Sequence, residues 1–253
     1  MNVTAYLQRM KYHGTLEPTA ATLRGLHAAH MQYVPFENLD IAHRRLFNLD
    51  PAALFDKIVT HRRGGFCYEL NGLFALLLEQ LGFRVTRLAA RVVGEDGRVG
   101  PEFDHLTLQV EFLDQANSIW LADVGFGDSF GEPLRFEEEG AQLDGLRAYR
   151  IERVESERWL WERDYDGTWR RQYSFDLQPR QLSDFAAMCF WHQTSPESSF
   201  TQRRVCTRAT PDGRITLSDL CLITIVHGQR TERAIREEEY HDVLREEFEI
   251  ILT

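Results

Sequence analysis

Cysteine is scarce in this chain: four in 253 residues, at 67, 189, 206 and 221. None forms a C-x-x-C pair, so neither a disulfide framework nor a zinc site is indicated. Positive charge is scarce too. Twenty-nine Lys and Arg stand against 39 Asp and Glu, a formal charge of −10. That balance speaks against a broad nucleic-acid or anionic-membrane footprint. Lysine occurs only at Lys11 and Lys57, most simply a compositional bias toward arginine. No apolar run approaches the roughly 18 residues that span a bilayer; LFALLL is soon stopped by Glu79 and Gln80. The opening MNVTAYLQRM lacks the charged start and apolar stretch of a signal peptide. A cytoplasmic, reducing setting with no membrane or nucleic-acid partner is the expectation. The 43% hydrophobic and 27% charged residues are globular proportions and exclude disordered and fibrous classes.

Hydrophobic spacing divides the chain into three stretches. Residues 1–83 read as helical. Thr4 can cap a short helix, and Pro18-Thr19 opens a second that Pro35 ends. Asp50-Pro51 starts another, since proline at the first helical position loses no hydrogen bond. A helix from about Phe66 to Leu81 is apolar nearly all round, hence buried, and Gly82 stops it. From Arg84 the period changes to two. Leu106, Leu108 and Val110 alternate with His105, Thr107 and Gln109, with WLADV (120–124) as a neighbouring strand. Strands at 147–154, 158–164 and 168–175 complete an antiparallel meander over 84–180 that can curl into a barrel. The last stretch, 181–253, opens with a helix near 181–191 capped by Ser183. A turn at Pro211-Asp212-Gly213 precedes ITLSDLCLITIV, and a charged helix near 237–247 closes the chain.

One cysteine stands in a suggestive setting. In Arg63-Gly-Gly-Phe-Cys67-Tyr-Glu-Leu-Asn71, two glycines permit a tight backbone approach. The thiol then falls in the first turn of the buried helix, where free N–H groups and the helix dipole favour a thiolate. By itself Cys67 reads more simply as a small buried hydrophobe. A nucleophile needs a base, and the base an orienting group. His105 opens the alternating strand, and Asp123 lies between Ala122 and Val124. A five-residue loop at 113–117 would pair 112 with 118 and 107 with 123, leaving His105 diagonal to Asp123 on one face. Read singly, they are also an ordinary strand-end histidine and a turn aspartate. His27 and His30 could share a helix face and bind metal, but no third ligand is evident, and no metal is expected. Gly125-Phe-Gly127 lacks the third glycine of a dinucleotide fingerprint, and no G-x-S-x-G is present.

Taken together, VPFENLDI (34–41), RGGFCYELN (63–71), HLTLQV from His105 and DVGFG (123–127) resemble the arylamine N-acetyltransferases. YLQRM at the start and TSPESSF (194–200) agree more loosely. The resemblance implies an α+β fold with an N-terminal helical bundle, a central antiparallel β-barrel and a C-terminal α/β lid, the first two related to transglutaminase-like cysteine enzymes. It implies Cys67 as acyl acceptor, His105 as base and Asp123 as its orienter. Phe36 and Phe126 match positions walling the acceptor pocket. Gly127, Asp128 and Ser129 match a loop near the coenzyme A phosphates, and Phe200 a residue near that co-substrate. Arg9, Glu37 and Arg63 match a buried ion network. The implied reaction carries acetyl from acetyl-CoA to an arylamine, arylhydrazine or N-hydroxyarylamine through an acetyl-cysteine. A macrolactam-forming amide synthase and a transglutaminase-like thiol hydrolase use similar residues, and a silent binding module could keep the same fold.

Overall fold

The computed structural model describes residues 1–112 and 118–252. The helical stretch begins with α1 (Val3–Arg9), whose first turn is capped by Asn2 rather than Thr4. Asn2 precedes the first helical residue, so its side chain can reach the free N–H of Ala5, as a cap must. Thr19 caps α2 (Ala20–Tyr33), and the chain then runs extended through β1 (Phe36–Glu37) into the short α3 (Leu39–Ala42). Asp50 caps α4 (Pro51–Phe55), which continues into a single π turn over Asp56–Thr60. Cys67 is the first residue of α5 (Cys67–Gln80). Glu69 accepts from the Phe66 N–H at 3.1 Å, satisfying a donor that phenylalanine cannot cap itself.

The second stretch supplies β2 (Arg84–Val92), β3 (His105–Glu111), β4 (Ile119–Ala122), β5 (Leu134–Arg135), β6 (Gln142–Asp144), β7 (Arg147–Val154), β8 (Glu157–Arg163) and β9 (Trp169–Phe175). They form one antiparallel sheet in the order β5-β4-β3-β2-β9-β8-β7-β6. Its two edges nearly meet: the Arg135 N–H donates to Gln142 at 2.7 Å, and the Gln142 amide returns a bond to Arg135 O at 2.9 Å. The result is a nearly closed, barrel-like sheet of an α+β fold. The β3–β4 register pairs Leu108 with Ala122 and Glu111 with Ile119, which continues to 107 opposite 123 as the parity argument requires. The loop 113–117 itself lies outside the described residues. Alternation along β3 splits its side chains between two cores. Leu106, Leu108 and Val110 pack with Leu70, Phe74 and Leu77 of α5. The opposite face turns His105 and Thr107 toward Tyr173.

Beyond a 3-10 turn at Leu182–Phe185 come α6 (Ala186–Thr194) and α7 (Ser199–Gln202). Ser183 lies inside that turn and does not cap it; the Gln181 N–H is met instead by Asp184 at 2.8 Å. The remaining chain is β10 (Val205–Thr210), β11 (Gly213–Ser218), β12 (Cys221–Val226), β13 (Gln229–Ala234) and α8 (Tyr240–Phe248), the last after a 3-10 turn at Glu237–Glu239. The sequence reading leaves β1 unmarked. It pairs antiparallel with β10, Phe36 opposite Thr207, and so carries the first stretch into a five-stranded sheet with the last. Two residues are too short to show a period of two, so only the tertiary fold creates this strand. Val243, Leu244 and Phe248 of α8 pack on Ile215, Leu217 and Leu222. No helix among the described residues is long and apolar enough to cross a membrane.

Candidate functional site

Two glycines set the position of Cys67. A Cβ on Gly64 would lie 2.0 Å from the Pro35 carbonyl oxygen, so only glycine allows the chain to run against Pro35 and Phe36 before α5. On the other side, a Cβ on Gly125 would meet the Cys67 Cα at 2.9 Å and the Asn71 amide at 2.7 Å. The loop after β4 is thereby pressed onto the first turn of α5. Cys67, His105 and Gly125 all line one cleft of about 440 Å³.

His105 and Asp123 meet directly: His105 Nε2 lies 2.6 Å from Asp123 Oδ2, both side chains almost wholly buried. With Nε2 committed to the carboxylate, Nδ1 is the nitrogen left for another partner. The carboxylate takes three further bonds, from Tyr173 OH at 2.9 Å, Asn71 Nδ2 at 2.8 Å and the Gly125 N–H at 3.1 Å. Burial works against its charge, but His105 and these donors outweigh it and hold the carboxyl below its usual range. Asn71 also donates to Leu106 O at 2.6 Å and accepts from the Val124 N–H at 2.9 Å. One amide therefore ties α5, β3 and the Asp123 loop together. It sits four residues after Cys67, on the same helix face, a spacing visible in the sequence. Tyr173 arrives from β9 with no local signal.

His27 and His30 turn to different partners. The Asp123 N–H donates to His27 Nε2 at 3.1 Å, and His27 Nδ1 faces Gly131 O at 2.8 Å. Both nitrogens are used, and the tautomer with a proton on Nδ1 is fixed. His30 Nε2 instead meets Tyr6 OH at 2.9 Å. Burial lowers the pKa of both imidazoles, further for His30.

Burial also pushes the Cys67 thiol well above its usual value, and the nearby Cys189 sulfur and Asp104 carboxylate act the same way. The Leu106 N–H works in the opposite direction. The helix start, from which the sequence suggests a thiolate, is thus opposed by desolvation. Ionising this thiol requires a neighbouring cation, and an imidazole held by a carboxylate can become one.

The remaining candidates divide. Phe36, Phe126, Gly127, Asp128 and Phe200 line the cleft with Cys67. The Phe126 ring stands edge-on to His105 at 5.2 Å, and Phe36 lies 6.1 Å from Phe200. Ser129 does not join them: it is buried and lines a second cleft of about 380 Å³ on the far side of the loop. Asp128 faces cations, with Arg147 at 2.6 Å and Arg214 at 2.9 Å. An ion network exists below the site, in which Arg63 pairs with Glu37 at 2.8 Å and Asp40 at 3.0 Å. Arg9 is not part of it. Its guanidinium donates to the carbonyls of Tyr33, Ile58, Arg62 and Arg63, which need a donor where α2 and the π turn end. The network's other members are Lys57, 2.8 Å from both Asp40 and Glu69, and those two carboxylates.

Known proteins share this architecture. A family model described as N-acetyltransferase matches residues 19–253. The arylamine N-acetyltransferase / N-hydroxyarylamine O-acetyltransferase of Salmonella typhimurium is 36% identical over 231 residues, 90% of this chain and 81% of that protein. The solved structure of the M. tuberculosis arylamine N-acetyltransferase superposes with a TM-score of 0.92 at 35% identity, covering 98% of this chain and 94% of that one. The Mycobacterium marinum arylamine N-acetyltransferase in complex with CoA gives 0.91 at 32% identity, over 98% and 93%. The chain belongs to the arylamine N-acetyltransferase family.

Proposed function

We propose that this protein transfers acetyl from acetyl-CoA to arylamines, arylhydrazines or N-hydroxyarylamines in two half-reactions through Cys67. The observation that carries the reading is a buried His105–Asp123 pair at 2.6 Å lining the same cleft as a cysteine at a helix start. His105 takes the Cys67 proton and becomes an imidazolium beside Asp123. The thiolate attacks the thioester carbonyl, the carbon–sulfur bond to coenzyme A breaks, and the departing sulfur takes the proton back. The acceptor nitrogen then attacks the acetyl-cysteine, His105 accepts its proton, and the amide leaves as the Cys67 thiol re-forms. Anilines are largely neutral at pH 7, so the nitrogen lone pair is available without prior deprotonation.

Phe36 and Phe126 suit a flat acceptor and help exclude water, which would hydrolyse the intermediate. Arg203, Arg214 and Arg230 in the cleft suit an anionic donor, as the CoA-bound relative suggests. Gly127 and Phe200 stand close enough to contact it; Ser129 would reach it only from the second cleft. The division at 83/84 and 180/181, the transglutaminase-like ancestry of the core and a cytoplasmic setting belong to the same reading. Intact-protein mass spectrometry after acetyl-CoA tests it. One acetyl group should appear on Cys67 and disappear on adding aniline. Labelling that persists in Cys67→Ala, or that water removes as fast as aniline does, would refute the transferase.

A further inference from the structure

The cleft carries charge of both signs, brought in by different elements. Arg203, Arg214 and Arg230 reach it from the end of α7 and from β11 and β13, whereas Asp104 and His192 reach it from the start of β3 and from α6. Neither Asp104 nor His192 has a part in the reaction above, and no pattern in the sequence marks them. Their geometry is nevertheless built. Asp104 Oδ1 lies 3.1 Å from His192 Nε2, and Oδ2 accepts from the Val92 N–H at 3.3 Å. The Asp104 carbonyl accepts from Tyr68 OH at 3.1 Å and faces His192 Nε2 at 3.3 Å. Both groups facing Nε2 are acceptors, so that nitrogen carries a proton. Nδ1 faces the buried Ser198 hydroxyl at 3.5 Å. The His192 ring is held by Phe200 at 5.2 Å and Tyr68 at 6.1 Å. A carboxylate is thus fixed in the same cleft as Cys67, where it can meet a bound acceptor.

We propose that Asp104, positioned by His192, selects the acceptor, favouring aromatic amines that carry a cationic or hydrogen-bond-donating group over those that carry a carboxylate. The identity of the acceptor rests on the transferase reading; the charge preference rests on the cleft. Unit charges about 6 Å apart at an effective dielectric near 20 alter binding by roughly a hundredfold. Desolvation of both groups offsets part of this, so a net preference of at least about tenfold is expected.

The experiment is equilibrium binding by calorimetry without coenzyme A, using 4-aminobenzylamine, aniline and 4-aminobenzoate. The wild-type protein should bind the benzylamine at least about tenfold more tightly than the benzoate. Asp104→Asn should bring that ratio close to one while aniline binding changes little, a pattern that loosened packing would not produce. His192→Gln keeps a donor toward Asp104 and should retain the preference. Equal or tighter binding of the benzoate by wild type overturns the proposal even if Asp104→Asn does not fold, and so does an unaltered ratio in folded Asp104→Asn. Acetyl transfer to aniline, assayed on the same preparations, tests the transferase reading separately, because the binding ratio needs no turnover.

Discussion

Asn71→Ala would remove the amide that joins three parts of the site. The wild-type side chain donates to Leu106 O at 2.6 Å and Asp123 Oδ1 at 2.8 Å, and accepts from the Val124 N–H at 2.9 Å. All of this happens at a position with no solvent exposure. Two neutral bonds contribute about 0.5–1.5 kcal/mol each, and the bond to a carboxylate about 1.5–3 kcal/mol. Asp123 keeps three other donors, and the space left by an amide is small, so the total should be about 4 kcal/mol. At roughly 2–4 °C per kcal/mol for a chain of this size, the melting temperature should fall by about 10 °C. The site should suffer as well, because the loop bearing Asp123 is no longer tied to the helix bearing Cys67. Thermal unfolding followed by circular dichroism gives the first quantity, and iodoacetamide alkylation of Cys67 at pH 7 reads the second. A melting temperature within about 3 °C of wild type with unaltered alkylation would refute the reasoning. Another partner would then be satisfying the Val124 N–H and the Leu106 carbonyl.

Asp123→Asn should slow Cys67 alkylation and acetylation by orders of magnitude while leaving the melting temperature far less affected. Burial raises the thiol's pKa, so ionisation depends on an imidazolium that Asp123 stabilises; an unchanged pH–rate profile would contradict this. Lys57→Met would leave Asp40 and Glu69 without their shared cation and should cost about 3–5 kcal/mol in urea unfolding; a neutral result would mean the carboxylates are rescued by protonation or by Arg63. His27 and His30 have lowered folded-state pKa values, so below about pH 6.5 the unfolded chain binds more protons than the native one. Stability contributed above that pH is lost as pH falls, by up to about 1.4 kcal/mol per unit for each histidine. His30→Gln should flatten the slope measured between pH 6.5 and 4.5. Phe126→Ala should slow transfer to aniline and speed hydrolysis of the acetyl-cysteine in single-turnover experiments, with acetylation itself much less changed. Equal effects on both half-reactions would remove Phe126 from the acceptor wall.

Much of the site was legible along the chain because its constraints are local. A double glycine before a buried helix, alternation about His105 and the parity of 105 and 123 depend only on backbone periods and hairpin geometry. The β3–β4 register follows from these, and it brings His105 to Asp123. What the sequence could not determine depends on contacts between residues far apart. Tyr173 reaches Asp123 across 50 positions and His27 across 96. β1 is held by partners far along the chain, β10 on one side and Gly65 on the other. Arg9 serves carbonyls, where family likeness suggests carboxylates, because burial of two helix ends creates the demand for donors. Ser129 turns from the first cleft to the second. The thiol's ionisation is the clearest case: a helix start favours the anion locally, and desolvation by the assembled core works against it. Periodicity and capping are properties of neighbours in sequence, whereas desolvation and hydrogen-bond partnership belong to the packed molecule.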